Sequence, residues 1–235
     1  MEEPLTLRYR SIVTGNAGVG KTSIIMRTLK DEFKDDYKMT VGFDFNTLKA
    51  ETEDYTLSLT LVEVGGQKRF QAVAQQDGGT LSSANVYIAV YDEKRTSLER
   101  VSSGLETLLK KGTGKDPVLI IVRNKIDLPG AEYNLQEEEQ TIKELEALAL
   151  KYDVHVLGDY KTSAKEKIGW LSIGHSDLSV TTGREKVEQL PTFVIDLINH
   201  YRKVTSSYIA SRPEEQQEIS SQKTGLVDPD EFGDM

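Results

Sequence analysis

The stretch Gly15-Asn16-Ala17-Gly18-Val19-Gly20-Lys21-Thr22 constrains this chain more than any other. It fits G-x-x-x-x-G-K-[ST], a loop between a strand and a helix whose backbone N–H groups cradle phosphates. A nucleoside triphosphate brings several negative charges against the backbone, so donors must face it with no side chain in the way. Gly15, Gly18 and Gly20 permit positive φ and close approach. Successive N–H groups form a nest, and the following helix adds the positive end of its dipole. Lys21 then reaches the β- and γ-phosphates, and Thr22 offers its hydroxyl to Mg2+. The flanks agree with this setting. Leu5–Thr14 alternates at Leu5, Leu7 and Tyr9 and closes on Ile12-Val13, a strand; residues 23–30 carry Ile24, Ile25, Met26 and Leu29, a helix. The motif specifies a triphosphate and is silent on the base.

Along the rest of the chain strands alternate with helices. Residues 31–40 are polar and read as a loop. Residues 41–49 and Tyr55–Val64 read as a strand pair about a turn at 51–54; Tyr55, Leu57, Leu59 and Leu61 alternate with polar neighbours. The second strand ends in Glu63-Val64-Gly65-Gly66-Gln67, a carboxylate followed by a flexible turn. Residues 69–83 are polar and ambiguous. Residues 85–91 form a short buried strand ending at Asp92, and Thr96-Ser97-Leu98-Glu99 has the form of a capping box. Leu98, Val101, Leu105 and Leu108 carry a helix to about Lys111, which Gly112 ends. A strand at 118–122 runs into Arg123-Asn124-Lys125-Ile126-Asp127. A helix follows over 135–152, then a strand at 154–157 leading to Thr162-Ser163-Ala164-Lys165, and a final helix over 187–200 with Pro191 in its first turn. The alternation predicts a mainly parallel sheet covered by helices on both faces. Ligands of such sheets bind outside the carboxyl ends of the strands. The Gly loop, Glu63, residues 124–127 and residues 162–165 are therefore expected on one rim.

Composition narrows the function classes. The 235 residues are 37% hydrophobic and 29% charged, enough for one globular domain with an appendage. The net charge of −9 argues against a general nucleic-acid binder. Residues 205–235 hold seven acids and two bases, hence −5 of that total, and read as a disordered acidic tail. The chain has no cysteine, which removes disulfides, thiolate metal sites, thiol nucleophiles, prenylation and palmitoylation. Glu2 excludes N-myristoylation. No run of about 18 apolar residues predicts a membrane span, and no secretory signal is expected at the N-terminus.

Asn124-Lys125-Ile126-Asp127 addresses the base. Guanine presents two donors side by side, N1–H and the 2-amino group, and Asp127 can accept both in charge-assisted bonds. Adenine would leave that carboxylate unpaired, so such a site rejects it strongly. A plain charged turn at a strand end would carry the same residues.

In order along the chain, "GNAGVGKT", "TVGFDF", "GGQKRF", "VYD", "NKID" and "TSAK" together resemble a small GTPase of the Ras superfamily, nearest its Rab-like branch, from about Leu7 to about Lys203. The resemblance implies an α/β P-loop NTPase fold, with a GTPase domain over residues 1–204, an insertion near 166–182 and the tail beyond. It implies that GTP or GDP is held by Gly15, Ala17, Gly18, Val19, Gly20, Lys21, Thr22 and Ser23 around the phosphates. Asn124 and Asp127 would read the base, with the Lys125 stem across it. The Ala164 N–H would meet guanine O6, with Ser163 and Lys165 supporting that loop. Phe33 would pack on the guanine edge, although a helix-end anchor would look the same. Tyr37 would close over the phosphates. Thr40 would bind Mg2+ through its hydroxyl and the γ-phosphate through its N–H, both lost on hydrolysis. The Gly66 N–H would touch the γ-phosphate. Gln67 would orient the attacking water, with Lys21 as its partner in catalysis. Thr22, Thr40 and Glu63 would serve the Mg2+.

Departures from the family pattern are informative. Glu63 replaces the family's aspartate, which sits behind a Mg2+-bound water. Mg2+ tolerates little distortion of its octahedron, so weaker Mg2+ affinity or faster nucleotide exchange is expected. Gly65-Gly66-Gln67 is Arf-like. Val62 stands where Rab proteins carry tryptophan, leaving Phe45 alone of the effector-facing aromatics. Trp170 in the insertion is expected to pack it onto the body, though an exposed contact site is the other reading. No paired C-terminal cysteines occur, so the protein is expected to be cytoplasmic and monomeric, with any membrane association coming through a partner. Expected partners are protein effectors, an exchange factor and a GTPase activator. Three functions fit: a switch that hydrolyses GTP slowly with Mg2+, a pseudo-GTPase module that holds GTP or GDP without efficient hydrolysis, and an ATP-dependent kinase of the same loop class. Asp127 speaks against the last.

Overall fold

Runs of apolar residues set the frame. In the computed structural model, which describes residues 5–35, 40, 43–52, 55–65, 81, 84–128, 134–173, 178–183 and 185–211, strand β4 (Val86–Tyr91) follows β1 (Leu5–Thr14), β2 (Phe43–Glu51) and β3 (Tyr55–Val64). Strand β5 is Val118–Arg123, β6 His155–Lys161, β7 Trp170–Ser172, β8 Ser179–Thr182, β9 Glu185–Lys186 and β10 Gln189–Pro191. All of β4 and the first five positions of β5 are buried. Strands apolar on both faces belong in the middle of a covered parallel sheet, and these lie there, in the order β6-β5-β4-β1-β3-β2-β8-β9. Strands β6, β5, β4, β1 and β3 are mutually parallel; β2, β8 and β9 add an antiparallel edge.

Four helices are described: α1 (Lys21–Lys30), α2 (Arg95–Leu109), α3 (Leu135–Lys151) and α4 (Thr192–Ser211). Ile12, Tyr87, Ala89 and Ile121 cluster with Leu98, Val101 and Leu105 of α2 and Leu145 and Ala149 of α3. Val13, Ile88 and Ile120, each displaced by one residue, face the opposite side of the sheet and are equally buried. Helix α1 buries Ile24, Ile25 and Leu29 and lies against β3. Each such burial stabilises the fold by roughly 1.5–3 kcal/mol. The expected mainly parallel α/β sheet is present. The chain divides into two units, Met1–Asp196 and Leu197–Met235, with the boundary inside α4.

Four expectations change. The final helix does not begin at Val187: residues 189–191 form β10, antiparallel to β7, and the helix starts at Thr192. Proline biases its predecessor toward extended backbone, and Pro191 sits opposite Trp170 in that ribbon. At its other end α4 continues to Ser211, so residues 205–211 of the expected tail are helical. Helix α2 starts ahead of the expected Thr96, with Lys94 as its N-cap, and the buried Ser97 Oγ accepts from the Asp92 N–H at 3.1 Å. Strand β6 runs beyond Leu157 to Lys161, which brings residues 162–165 directly off its end. Residues 166–182, expected as an insertion, include β7 and β8; Trp170 there is buried, and β8 pairs with β2 at Lys49, Ala50 and Glu51.

Candidate nucleotide site

The carboxyl ends of the parallel strands carry the Gly loop, Glu63 and residues 124–127 and 162–165, while Phe33 follows α1 and Thr40 precedes β2. Strand β1 ends at Thr14 and delivers the Gly loop; β3 delivers Glu63; β4 delivers Asp92; β5 delivers Asn124; β6 delivers Thr162. Backbone bonds fix their relative heights. The Asn124 N–H donates to the Tyr91 carbonyl at 2.8 Å, and the Thr162 N–H to the Arg123 carbonyl at 2.8 Å. One cavity of about 570 Å³ opens at this rim, within the usual range for small-molecule sites of about 300–1,000 Å³. Ala17, Gly18, Gly20, Lys21, Thr22 and Ser23 line it together with Phe33, Thr40, Glu63, Asn124, Lys125, Asp127, Ala164 and Lys165. Of the remaining predicted site residues, Gly15, Val19 and Ser163 do not line it. Tyr37, Gly66 and Gln67, and the neighbouring Arg69, lie outside the described residues.

The loop geometry requires its glycines. Gly15 has φ +146°, and a Cβ there would lie 2.1 Å from the Val90 carbonyl oxygen. Gly20 has φ +94°, and a Cβ there would lie 2.2 Å from Asn124 Nδ2. Helix α1 starts on Gly20 with no side-chain cap and no acid in its first turn. Its orphan N–H groups and dipole are therefore available to an anion. Lys21 is buried, and its ammonium donates to the Gly15 and Asn16 carbonyls, both at 3.1 Å. Burial pulls its pKa below the ordinary lysine value, and the nearby Glu63 carboxylate opposes that.

At the other end, Asp127 lines the same cavity as Lys21. The Lys125 backbone is left-handed, with φ +65°, and its ammonium reaches the Gly18 carbonyl and, at 3.3 Å, the buried Asp92 carboxylate. Its stem thus runs from the Asp127 turn to the Gly loop. Asn124 is a strut. Its Nδ2 donates to the Val19 carbonyl at 2.9 Å, while its Oδ1 accepts from the Ala164 N–H at 3.2 Å and the Thr162 hydroxyl at 3.3 Å. Ser163 Oγ accepts from the Glu166 N–H at 3.0 Å, closing the turn that holds Ala164 and Lys165.

Near the loop, Thr22 Oγ1 donates to Glu63 Oε1 at 2.7 Å, Thr40 Oγ1 does so at 3.1 Å, and the two hydroxyl oxygens are 2.9 Å apart. Burial pushes the Glu63 carboxyl above its ordinary pKa, against the lowering effects of Thr22, Lys21 and Thr40. Its Oε2 is buried with no hydrogen-bond partner. Two hydroxyls and an anionic carboxylate with a spare oxygen make a hard oxygen set that suits Mg2+. Among the described residues no cluster of three or more His, Cys, Asp or Glu offers another metal site.

Arg27 was not among the expected site residues. Its Nε donates to the Ala164 carbonyl at 2.9 Å and its Nη2 to the Lys165 carbonyl at 3.2 Å. Its Nη1 donates to the Asp31 carbonyl at 2.8 Å and carboxylate at 3.2 Å, and the guanidinium lies 5.8 Å from the Phe33 ring centre. Lys167, from the far side of the same turn, reaches the Asp31 carboxylate at 2.6 Å and Gln189 Oε1 at 2.8 Å. No local pattern marks Arg27, because Ala164 lies 137 residues away in sequence. Asp92 had a signal, its place at the end of a buried strand, but its bond to Lys125 needs the fold.

The sequence profile of the Ras family matches residues 10–173 of this chain. The chain is also similar to the Ypt/Rab-type GTPase ypt7 of Schizosaccharomyces pombe, with 30% identity over 161 residues that span 67% of this chain and 74% of that protein.

Proposed function

Because this chain belongs to the Ras family, we propose that it is a guanine-nucleotide switch that hydrolyses GTP to GDP slowly with Mg2+, acting in signalling or trafficking. One observation carries the reading: a single cavity is lined both by Lys21 beside an uncapped helix N-terminus and by Asp127. The first suits a polyphosphate and the second a base that presents two adjacent donors. In this reading Asp127 accepts from guanine N1–H and the 2-amino group. The Lys125 stem covers the base, Phe33 closes its edge, and the Ala164 N–H, which donates to Asn124 Oδ1 at 3.2 Å, would be shared with O6. Asn124 holds these turns to the Gly loop. Lys21 and the loop amides hold the β- and γ-phosphates. Thr22, Thr40 and Glu63 hold the Mg2+, which supplies charge neutralisation between those phosphates. The roles of Gln67 in orienting water, of Gly66 on the γ-phosphate and of Tyr37 over the phosphates rest on the family likeness. Residues 1–204 would make up the GTPase domain, with the insertion near 166–182 and the acidic tail as additions to it.

The placement of Arg27 supports the expectation of slow hydrolysis. Arg27 is committed to the Ala164, Lys165 and Asp31 carbonyls, so it does not serve the γ-phosphate. A partner supplying an arginine accelerates such sites by about 10³–10⁵-fold. Partners would comprise that activator, an exchange factor and effectors. No described helix is long and apolar enough to cross a membrane, and membrane association would come through a partner.

The test is GDP and GTP binding against ATP, with and without Mg2+, followed by single-turnover phosphate release. Tight, Mg2+-dependent, guanine-selective binding with turnover far below one per second is expected. Turnover of several per second would overturn the slow switch. Retained GTP with no turnover would move the chain to the holding module, and ATP binding as well as GTP would overturn the guanine assignment.

A further inference from the structure

The three oxygens Thr22 Oγ1, Thr40 Oγ1 and Glu63 Oε1 close a triangle with edges of 2.9, 2.7 and 3.1 Å. Mg2+ binds oxygens at about 2.0–2.1 Å in a near-ideal octahedron, so adjacent ligand oxygens are about 2.9 Å apart. Ca2+, at about 2.3–2.6 Å, would need an edge of about 3.3–3.7 Å in the same geometry. The triangle therefore has the size of one face of a Mg2+ octahedron. Hydrogen bonds alone also produce such distances, but they engage only Oε1 and, even with the Lys21 ammonium nearby, leave Oε2 without a partner. Glu63 is buried, at 2% exposure, and its Oε2 has no hydrogen-bond partner. A buried anion is costly unless paired or bound to a metal.

We propose that Glu63 Oε1 binds the divalent cation directly, taking the vertex that a water fills between the metal and the family's shorter aspartate. Glu63 is held on β3 opposite Val13 of β1 and Asp44 of β2, so its backbone cannot retreat to make room for that water. The added methylene carries the oxygen to within hydrogen-bond reach of both hydroxyls. With two phosphate oxygens from the nucleotide, three protein oxygens leave one vertex for water. Mg2+ dehydrates reluctantly, so displacing one more water is the physical reason to expect weaker Mg2+ binding and faster nucleotide exchange than an aspartate gives.

This inference rests on the proposed function, and its test separates the two. The full chain is loaded with Mn2+ and a non-hydrolysable GTP analogue, and bound waters are counted from the broadening of the Mn2+ paramagnetic resonance in ¹⁷O-enriched water. One water is expected for the unaltered chain and for Glu63→Gln, which keeps a ligating oxygen, and two for Glu63→Asp. Two waters in the unaltered chain would overturn the direct ligand, a result that stands even if both variants fail to fold. Equal counts in the unaltered chain and Glu63→Asp would do the same. Failure of the unaltered chain to take up Mn2+ and the analogue at all would overturn the proposed function, and this assignment with it.

Discussion

Arg27 Nε donates to the Ala164 carbonyl at 2.9 Å, so helix α1 and the turn after β6 are tied by a single guanidinium. The same group bonds the Lys165 and Asp31 carbonyls and lies 5.8 Å from the Phe33 ring centre. With its side chain 14% exposed, it is sheltered enough for these bonds to matter. It positions two parts of the proposed base pocket at once.

Hydrogen bonds to a charged group contribute about 1.5–3 kcal/mol. Arg27→Ala is therefore expected to speed GDP release by roughly 10–150-fold. Arg27→Lys should recover little, because a point ammonium cannot serve the carbonyls that a planar fork reaches. Stopped-flow release of a fluorescent GDP analogue measures both. An unchanged rate for Arg27→Ala would remove the positioning role.

Gly20→Ala combines strained backbone at φ +94° with a Cβ only 2.2 Å from Asn124 Nδ2. The strut between the Gly loop and the Ala164 turn must then shift. Loss of measurable GDP affinity by calorimetry is expected, together with a fall in melting temperature. Gly18→Ala is the control, since a Cβ there meets nothing within 4 Å and only the backbone at φ +81° opposes it; a smaller loss is expected.

Asp127→Ala removes the acceptor for the 2-amino group. The unaltered chain is expected to prefer GDP over IDP, which lacks that group, by roughly 10–150-fold, the equivalent of one charge-assisted bond of about 1.5–3 kcal/mol. In the variant the preference should fall to near unity. Competition of the two nucleotides for the same labelled GDP reads the ratio directly.

Burial pushes the Tyr87 phenol up to about 12, whereas an unfolded tyrosine ionises near about 10. The fold thus favours the neutral phenol. Its stability contribution is whole below about pH 10 and is lost as pH rises through about 12. Tyr91 and Tyr160 are raised in the same direction, chiefly by burial, so they add to that slope. Tyr87→Phe is expected to remove one proton's share of the alkaline slope. It should cost about 1 kcal/mol near neutrality for the lost bond from Tyr87 Oη to the Gly112 carbonyl. Urea midpoints between pH 8 and 12 test both parts.

Local chemistry was legible wherever cause and effect sit within a few residues. Tyr55–Val64 has the strand bounds its alternation predicts, and the Gly loop stands between β1 and α1 as its motif demands. Residues 187–191 misled for a physical reason. Val187, Leu190 and Val194 keep helical spacing, but Pro191 and the pairing with β7 hold the chain extended. A ribbon partner about twenty residues upstream leaves no trace in a period count. Likewise the spacing of Thr96 and Glu99 could not show that Ser97 is held by the Asp92 N–H.

By itself the sequence determined the parallel α/β frame, the phosphate-loop motif and the residues proposed to select guanine, because glycine, lysine and carboxylate chemistry at short spacing leaves few alternatives. Only the tertiary structure decided that Asn124 is a strut, that Arg27 governs the Ala164 turn and that Glu63 meets both threonine hydroxyls. Those partners lie between 23 and 137 residues apart along the chain. Over such separations no periodicity or motif couples one side chain to another. Distance in space does, and it is set by how the strands of the sheet are ordered.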